Sequence, residues 1–173
     1  MSEIIDLYNK DRTKTRKTTE RGKAIPKGLY RLVVHAAIFN NEGKMLIQKR
    51  AKEKSLWPDL WDISVGGSCI HGESSSYGMQ REIKEELGID IDLKDVRPSF
   101  TFNFDNGFDD IYLIQKDIKL EDCILQKEEV SEIKYATYEE FIELMNQGKA
   151  ITYYPSYIKL LFETYQSKNI YIE

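Results

Sequence analysis

The segment GSCIHGESSSYGMQREIKEELGI, residues 67–89, decides the fold of this 173-residue chain. Ser74 precedes its helical part and Gly88 follows it. Between them apolar residues recur every four positions, at Met79, Ile83 and Leu87. That interval places apolar side chains on one helical face, and serine before and glycine after a helix are typical of its ends. We therefore predict a helix from about Ser74 to Leu87.

Three acidic residues share another face of this predicted helix, namely Glu82, Glu85 and Glu86. Positions i, i+3 and i+4 fall within an arc of about 100°. Like charges four residues apart destabilise a helix by roughly 0.2–0.5 kcal/mol per pair. A hard divalent cation would compensate, because Mg²⁺ and Mn²⁺ prefer carboxylate oxygens. A solvated acidic face is the alternative interpretation of the triplet taken alone.

The spacing around the triplet extends the pattern. Gly67 is followed after five residues by Glu73, and after seven more by the run REIKEELGI, residues 81–89. Every fixed position of G-x5-E-x7-R-E-U-x-E-E-x-G-U is present, U being an aliphatic residue. The segment resembles the Nudix box, and the predicted elements on both sides extend the resemblance over about residues 28–165.

This resemblance to the Nudix family implies an α+β fold, a mixed β-sheet sandwiched between α-helices. It also implies a metal-dependent hydrolase that cleaves the diphosphate linkage of a nucleoside diphosphate derivative, with Mg²⁺ or Mn²⁺ as cofactor and a small-molecule diphosphate as substrate. The chemistry agrees, because a diphosphate is wrapped in negative charge. A catalyst must neutralise that charge and activate water for in-line attack on phosphorus.

The resemblance implies roles for the residues of the box. The metal carboxylates are expected to be Glu82, Glu85 and Glu86, with the backbone carbonyl of Gly67 as a further ligand. Arg81, four positions before Glu85, is expected to orient that carboxylate, and Glu73 to hold Arg81 from the other side.

The general base is expected either from the box or from a later loop. In the loop, Glu128 and Glu129 precede a predicted strand, where a surface acidic turn is the alternative. We take Glu85, Arg81, Glu73 and Glu129 as the expected catalytic residues.

Three residues before the box are candidates for substrate contact. Lys49 and Arg50 end a predicted strand, where they would meet phosphate oxygens or be solvated. Trp57 and Trp61 flank a short stretch with Pro58, where tryptophans either wall a pocket or fill the core. Of the two histidines, His35 is expected to be a buried residue of an apolar strand with its polar atoms satisfied, and His71 to lie on a surface loop.

The rest of the sequence contains further segments that are typical of strands and of helices. A hairpin is predicted from strands 30–39 and 44–50, followed by a short strand at 61–65 that Gly66 and Gly67 break. Further strands are expected near 100–104, 111–115 and 130–135. A capping-box sequence at Thr137 predicts a helix to about 147, and Pro155 begins a last helix to about 165.

Charge divides the chain into two parts. Residues 10–27 carry eight Lys or Arg and two acids, whereas residues 28–173 carry 17 bases and 25 acids. We predict a basic N-terminal segment, residues 1–27, that packs on a single Nudix domain, residues 28–173. This segment is either a solvated lead-in loop or a set of bases that closes over an anionic substrate.

The basic segment and the stretch WPDLWDISVGG resemble the branch of the family that is related to isopentenyl diphosphate isomerase. An isomerase is therefore an alternative function, from another reaction class. When the two patterns are aligned on Gly72 and Glu73, the cysteine with which the isomerase protonates carbon falls at Gly66, and its histidine falls at Ser68. Cys69 is three positions away from the place of that cysteine. A non-catalytic nucleotide-binding module is the second rival, but such modules usually lose box carboxylates. The intact box favours the hydrolase.

Composition excludes other classes. The net charge of −4 argues against a nucleic-acid partner. No apolar run is long enough to cross a bilayer, and the first residues lack the apolar stretch of a signal peptide. Two distant cysteines, Cys69 and Cys123, suggest neither a disulfide framework nor a zinc site. We expect a cytoplasmic protein, whose oligomeric state the sequence leaves open.

Overall fold

The structure, a computed structural model, describes residues 3–167. The chain forms two compact units, each assembled from separate stretches. Unit 1 comprises Met1–His35, Gly66–Lys84 and Asp90–Tyr112, and unit 2 comprises Ala36–Val65, Glu85–Ile89 and Leu113–Glu173. The predicted boundary at residue 28 stays a prediction, and residues 168–173 of that predicted domain lie outside the described part. Within residues 3–167, no helix is both long and apolar enough to span a membrane.

Unit 1 begins with a two-stranded antiparallel hairpin, β1 (Ile4–Tyr8) and β2 (Lys14–Glu20), in which Ile4 faces Glu20. The interpretation of residues 10–27 as a lead-in loop is therefore wrong for β2. The sequence KTRKTTE has no apolar alternation, so hydrophobic periodicity gives no strand signal there. Pairing with β1, whose residues from Ile5 onward are buried, makes it a strand.

Unit 1 also contains β7 (Phe100–Phe104) and all but the first residue of β6 (Val65–Ser68). Only the first parts of β3 (Arg31–Phe39) and β8 (Gly107–Gln115) belong to it. In this unit β6 pairs with β3, and β7 pairs with β8 in antiparallel register, Phe100 opposite Ile111.

The expected strand break at Gly66 and Gly67 is wrong, because both residues lie inside β6. A Cβ on Gly66 would lie 2.2 Å from the His35 ring, and one on Gly67 would lie 2.0 Å from Oε1 of Glu82. At both positions a neighbouring side chain occupies the space that a Cβ would need, so only glycine fits. Glycine within a strand often marks such a close approach.

Helix α1 (Ser75–Leu87) follows the loop after β6. The side chain of Ser74 accepts a hydrogen bond from the Tyr77 amide at 3.2 Å, and Gly88 adopts a φ of +73°, so both predicted helix ends are confirmed. The predicted apolar stripe is also confirmed, since Met79, Ile83 and Leu87 are fully buried.

Unit 2 contains strands β4 (Met45–Arg50), β5 (Trp61–Asp62) and β9 (Val130–Ala136), with helices α2 (Tyr138–Asn146) and α3 (Pro155–Thr164). The predicted β3–β4 hairpin is confirmed, with Phe39 opposite Met45. Strand β4 also pairs with β5 and, over Met45 to Arg50, with β9. The predicted capping box of α2 is present, because Thr137 and Glu140 exchange side-chain and backbone hydrogen bonds.

Each unit buries apolar residues from its strands and helices. In unit 2 Phe39 stacks on Tyr165 with ring centroids 4.3 Å apart, and Phe141 of α2 is fully buried. Trp61 is buried with Lys134 over its ring, which confirms the core interpretation for that residue. The predicted α+β class, a mixed sheet with helices, is confirmed.

Candidate active site

Arg81 of α1 is clamped by Glu73 of the preceding loop. Arg81 Nε donates to Glu73 Oε1 at 2.6 Å, and its terminal nitrogen Nη2 donates to Oε2 at 3.0 Å. Glu73 is buried, and its Oε2 also accepts the amide of Ile70 at 2.9 Å. Because the guanidinium and the carboxylate are planar, this two-bond pairing fixes the orientation of Arg81. The expected contact between Glu73 and Arg81 is therefore present.

Arg81 connects this loop to strand β6 and to Glu82. Its Nη2 donates to the carbonyl of Ser68 at 3.0 Å, and Nη1 lies 3.1 Å from Oε1 of Glu82. The carboxylate of Glu82 lies against Gly67, at the position where any larger residue would place its Cβ. Glycine at this position thus lets an acidic side chain of α1 approach the backbone of β6.

Burial separates the three acids of α1. Glu82 is 6% exposed and Glu86 is 4% exposed, whereas Glu85 lies on the exposed side of the helix. Burying a carboxylate is costly unless a cation or hydrogen-bond donors accompany it. The solvated-face interpretation therefore fails for Glu82 and Glu86, and it fits only Glu85.

The donor atoms suit a hard divalent cation. Glu82 and Glu86 place carboxylates on successive turns of α1, and Glu82 reaches the backbone of Gly67. Because Mg²⁺ usually keeps several of its water ligands, two carboxylates and one backbone carbonyl are enough ligands from the protein. Within residues 3–167, no three His, Cys, Asp or Glu side chains are gathered as a metal cluster. A set of three carboxylates that includes Glu85 stays a prediction.

Gly88 does more than end α1. A Cβ there would lie 2.7 Å from Cβ and 2.9 Å from the carbonyl oxygen of Ile124. The Ile124 amide donates to the Leu87 carbonyl at 2.9 Å, and the Gln126 amide donates to the Glu86 carbonyl at 3.2 Å. The loop that precedes β9 is thus fastened to the last turn of α1 within unit 2.

This same loop carries the expected general base. The Glu129 amide donates to the Gln126 carbonyl at 2.8 Å, and its partly buried side chain forms an ion pair with Lys54. Glu128 is exposed. The surface-turn interpretation therefore describes Glu128 better than Glu129.

The expected substrate contacts have local partners. Lys49 pairs with Asp59 at 2.9 Å, and Arg50 pairs with Asp62 at 3.4 Å and donates to the Leu56 carbonyl. Trp57 is 55% exposed and has a φ of +49°, so the core interpretation is wrong for this tryptophan. Substrate binding by these three residues stays a prediction.

Comparison with known proteins settles the family. The NUDIX domain model matches residues 29–157. A Nudix hydrolase of Listeria innocua is 44% identical over 96% of this chain and 97% of its own length. The chain belongs to the Nudix family. The crystal structure of a Deinococcus radiodurans protein matches with a TM-score of 0.73 at 25% identity, covering 94% of this chain and 99% of that one. The predicted Nudix fold is confirmed.

The rival branch of the Nudix family gives a shorter match. The isopentenyl-diphosphate Delta-isomerase of Salmonella heidelberg is 36% identical over 66 residues, 38% of this chain and 36% of its own length. The Listeria innocua protein, which matches over nearly its whole length, is named as a Nudix hydrolase. This chain is accordingly an enzyme of the Nudix hydrolase group.

Cys69 of this Nudix hydrolase is buried. Burial, and then the charge of Glu73, raise the pKa of its thiol to about 12. Its Sγ makes a long contact of 3.8 Å to the Ser74 carbonyl. His71 lies exposed in the box loop, as expected. The expected burial of His35 is wrong, because its ring is only partly buried, although its Nδ1 is bonded to Asp109 at 2.7 Å.

The basic N-terminal segment is partly neutralised. Four of its bases form ion pairs with acids of unit 1, namely Arg12, Lys14, Arg21 and Lys23. The other four are exposed, namely Lys10, Arg16, Lys17 and Lys27. Closure of exposed bases over an anionic substrate stays a prediction.

Sequence reasoning missed one acid of this segment, Asp6, which is buried and contacts the Nudix box loop. The short apolar run IIDLY, interrupted only by Asp6, was the available signal for a strand.

Proposed function

We propose that this Nudix hydrolase cleaves the diphosphate linkage of a nucleoside diphosphate derivative, using Mg²⁺ or Mn²⁺ and a water molecule that attacks phosphorus. The observation that carries this proposal is the burial of Glu82 and Glu86 on α1, with Glu82 held by Arg81 against Gly67. Nudix hydrolases use divalent metal ions, and the donor set of this chain fits one.

The residues that would hold the cation are Glu82 and Glu86, with the Gly67 carbonyl and Glu85 as further candidates. A bound Mg²⁺ or Mn²⁺ supplies charge neutralisation at the phosphates and lowers the pKa of water. The protein's own contribution is to fix the carboxylates. Arg81 lies beside the Glu82 carboxylate, and Glu73 prevents Arg81 from rotating away.

Hydrolysis also requires a group that accepts the proton of the attacking water. As the new P–O bond forms, the bridging P–O bond breaks and the leaving phosphate or phosphate ester departs with the bond's electron pair. We assign the acceptor role to Glu129, because its loop is fastened through Gln126 to the backbone of Glu86. Glu85 is the alternative acceptor within the box.

A hydrolysis screen that separates the products by chromatography tests the proposed function, because cleavage of such a diphosphate linkage gives two phosphate monoesters rather than free phosphate. The compounds are nucleotide sugars, dinucleotide polyphosphates, nucleoside di- and triphosphates, coenzyme A and prenyl diphosphates, each with Mg²⁺, with Mn²⁺ and with a chelator. The proposal expects metal-dependent cleavage of a nucleoside diphosphate derivative. Preference for a prenyl diphosphate over every nucleotide would overturn the substrate class, and turnover in the chelator would overturn the metal requirement.

A further inference from the structure

The carboxylate of Asp6 joins the N-terminal hairpin to the loop of the Nudix box. Asp6 lies on β1 and is 4% exposed. Its Oδ1 lies 2.6 Å from Nδ1 of His71, and its Oδ2 accepts the amide hydrogen of Gly72 at 2.9 Å. The backbone adds one more bond, from the His71 amide to the Ile4 carbonyl at 2.7 Å. Loop residues 71 and 72 are thus held by β1.

Lys14 of β2 holds the next residue of the same loop. Its Nζ lies 2.8 Å from Asp6 Oδ2 and donates to the carbonyl of Glu73 at 3.0 Å. The hairpin therefore contacts three consecutive loop residues, His71, Gly72 and Glu73. The Asp6 carboxylate is hydrogen-bonded to the loop and also holds the Lys14 ammonium group in place.

These bonds keep Asp6 ionised. Burial by itself would raise the pKa of Asp6, but hydrogen bonds from Lys14, Gly72 and His71 outweigh it, and the pKa is lowered. A carboxylate that is buried, charged and shared among several donors is a strong local constraint on the loop.

The constrained loop carries the residue that orients Arg81. Glu73 pairs with Arg81 through two hydrogen bonds, and Arg81 in turn reaches the Ser68 carbonyl and Glu82. A shift of the loop would therefore move Glu73 and rotate the guanidinium, which would release Glu82.

We propose that Asp6 is a positioning residue of this Nudix hydrolase, which acts through the box loop and Glu73 to hold Arg81 and the metal carboxylate Glu82. The link to metal binding rests on the proposed function, whereas the link from Asp6 to Arg81 does not. The N-terminal hairpin is then part of the machinery that shapes the site.

Two measurements on purified full-length protein test this proposal. The first follows the Arg81 Nε–H signal by ¹H–¹⁵N NMR, assigned by its loss in Arg81→Lys. The second is the affinity for Mn²⁺, from the free-ion EPR signal. The main variant is Asp6→Asn, which preserves the side-chain volume. His71→Ala removes one partner at an exposed position, and Glu3→Gln is the control, because Glu3 pairs with Arg21 on the same hairpin.

We expect Asp6→Asn to shift the Arg81 Nε–H signal, to speed its exchange with solvent and to weaken Mn²⁺ binding on the order of fivefold. His71→Ala should give a smaller change in the same direction, and Glu3→Gln should match the wild type. An unchanged Arg81 signal in Asp6→Asn overturns the proposal. A changed signal with unchanged Mn²⁺ affinity also overturns it, because the displacement then has no effect on the site.

The same data separate this proposal from the proposed function. If the wild-type chain binds no Mn²⁺, the metal site is refuted and the Arg81 signal alone decides the role of Asp6.

Discussion

Arg12, in the turn between β1 and β2, holds the fully buried carboxylate of Asp110 through two hydrogen bonds of 2.9 and 2.8 Å. Asp110 also accepts hydrogen bonds from Thr101 and Ser75, each at 2.6 Å. The pKa of Arg12 is raised by this partner. The tip of the N-terminal hairpin is thereby fixed to β8, and the hairpin behaves as part of unit 1.

Removal of Arg12 should destabilise the protein. Arg12→Ala leaves the buried Asp110 carboxylate without its cation. Thr101 and Ser75 still donate hydrogen bonds to that carboxylate, and the Arg12 side chain is 38% exposed, so solvent already screens the ion pair. We therefore expect a loss of about 2 kcal/mol in the free energy of unfolding, below the usual cost of breaking a fully buried pair. Urea denaturation measures it. Arg16→Ala, on the exposed part of the same hairpin, should change stability by less than about 0.5 kcal/mol. Equal losses in both variants would contradict this role of Arg12.

Acid should remove the stability that Asp6 contributes. The pKa of Asp6 in the folded state is below its ordinary value of 3.8. Its contribution is therefore complete above pH 3.8 and is lost as the pH falls through the lower folded-state value. Wild type and Asp6→Asn should differ in unfolding free energy at pH 5–7, and the gap should narrow below pH 3.8. A gap that widens in acid would show that the pKa of Asp6 is raised instead.

Glu129 and its neighbour Glu128 form a matched pair for locating the general base. Glu129→Gln should lower kcat by at least about 100-fold with little change in KM, because proton transfer in the transition state is lost. Glu128→Gln should retain turnover within about twofold of the wild type. Steady-state kinetics on the substrate found by the hydrolysis screen decide this. If Glu85→Gln shows the large loss and Glu129→Gln does not, the base lies in the box.

Cys69 separates hydrolysis from prenyl isomerisation. Its thiol is buried and has a pKa near 12, so iodoacetamide at pH 8 should modify the more exposed Cys123 well before Cys69. Metal-assisted attack of water has no step that requires a thiol. Cys69→Ala should therefore retain hydrolysis within about threefold. Deuterium incorporation into isopentenyl diphosphate by the wild type, followed by NMR and lost in Cys69→Ala, would contradict the hydrolase assignment.

Local patterns predicted helix α1 and its ends because every determinant lies within the segment itself. The stripe at Met79, Ile83 and Leu87 needs only the helical period, and Gly88 needs only its own backbone conformation. The capping box at Thr137 is equally local.

Elements that depend on distant partners were missed or misread. Strand β2 has no apolar alternation and exists through pairing with β1. Gly66 and Gly67 lie within a strand, where His35 and Glu82 leave no room for a larger side chain, and neither neighbour is adjacent in sequence. Asp6 meets a loop 65 residues away, which no spacing rule anticipates. Trp57 is exposed, on a backbone with φ +49°, and the apolar character of its side chain does not anticipate this.

Turnover by variants of the two buried carboxylates tests the central claim most directly. We predict that Glu82→Gln and Glu86→Gln each lower metal-dependent diphosphate hydrolysis by at least about 100-fold, while both remain folded because each loses a like-charge repulsion within α1. Glu163→Gln, which changes an exposed glutamate of α3, is the matched control and should match the wild type. If either buried variant retained near wild-type turnover at saturating Mg²⁺, the metal assignment would be wrong.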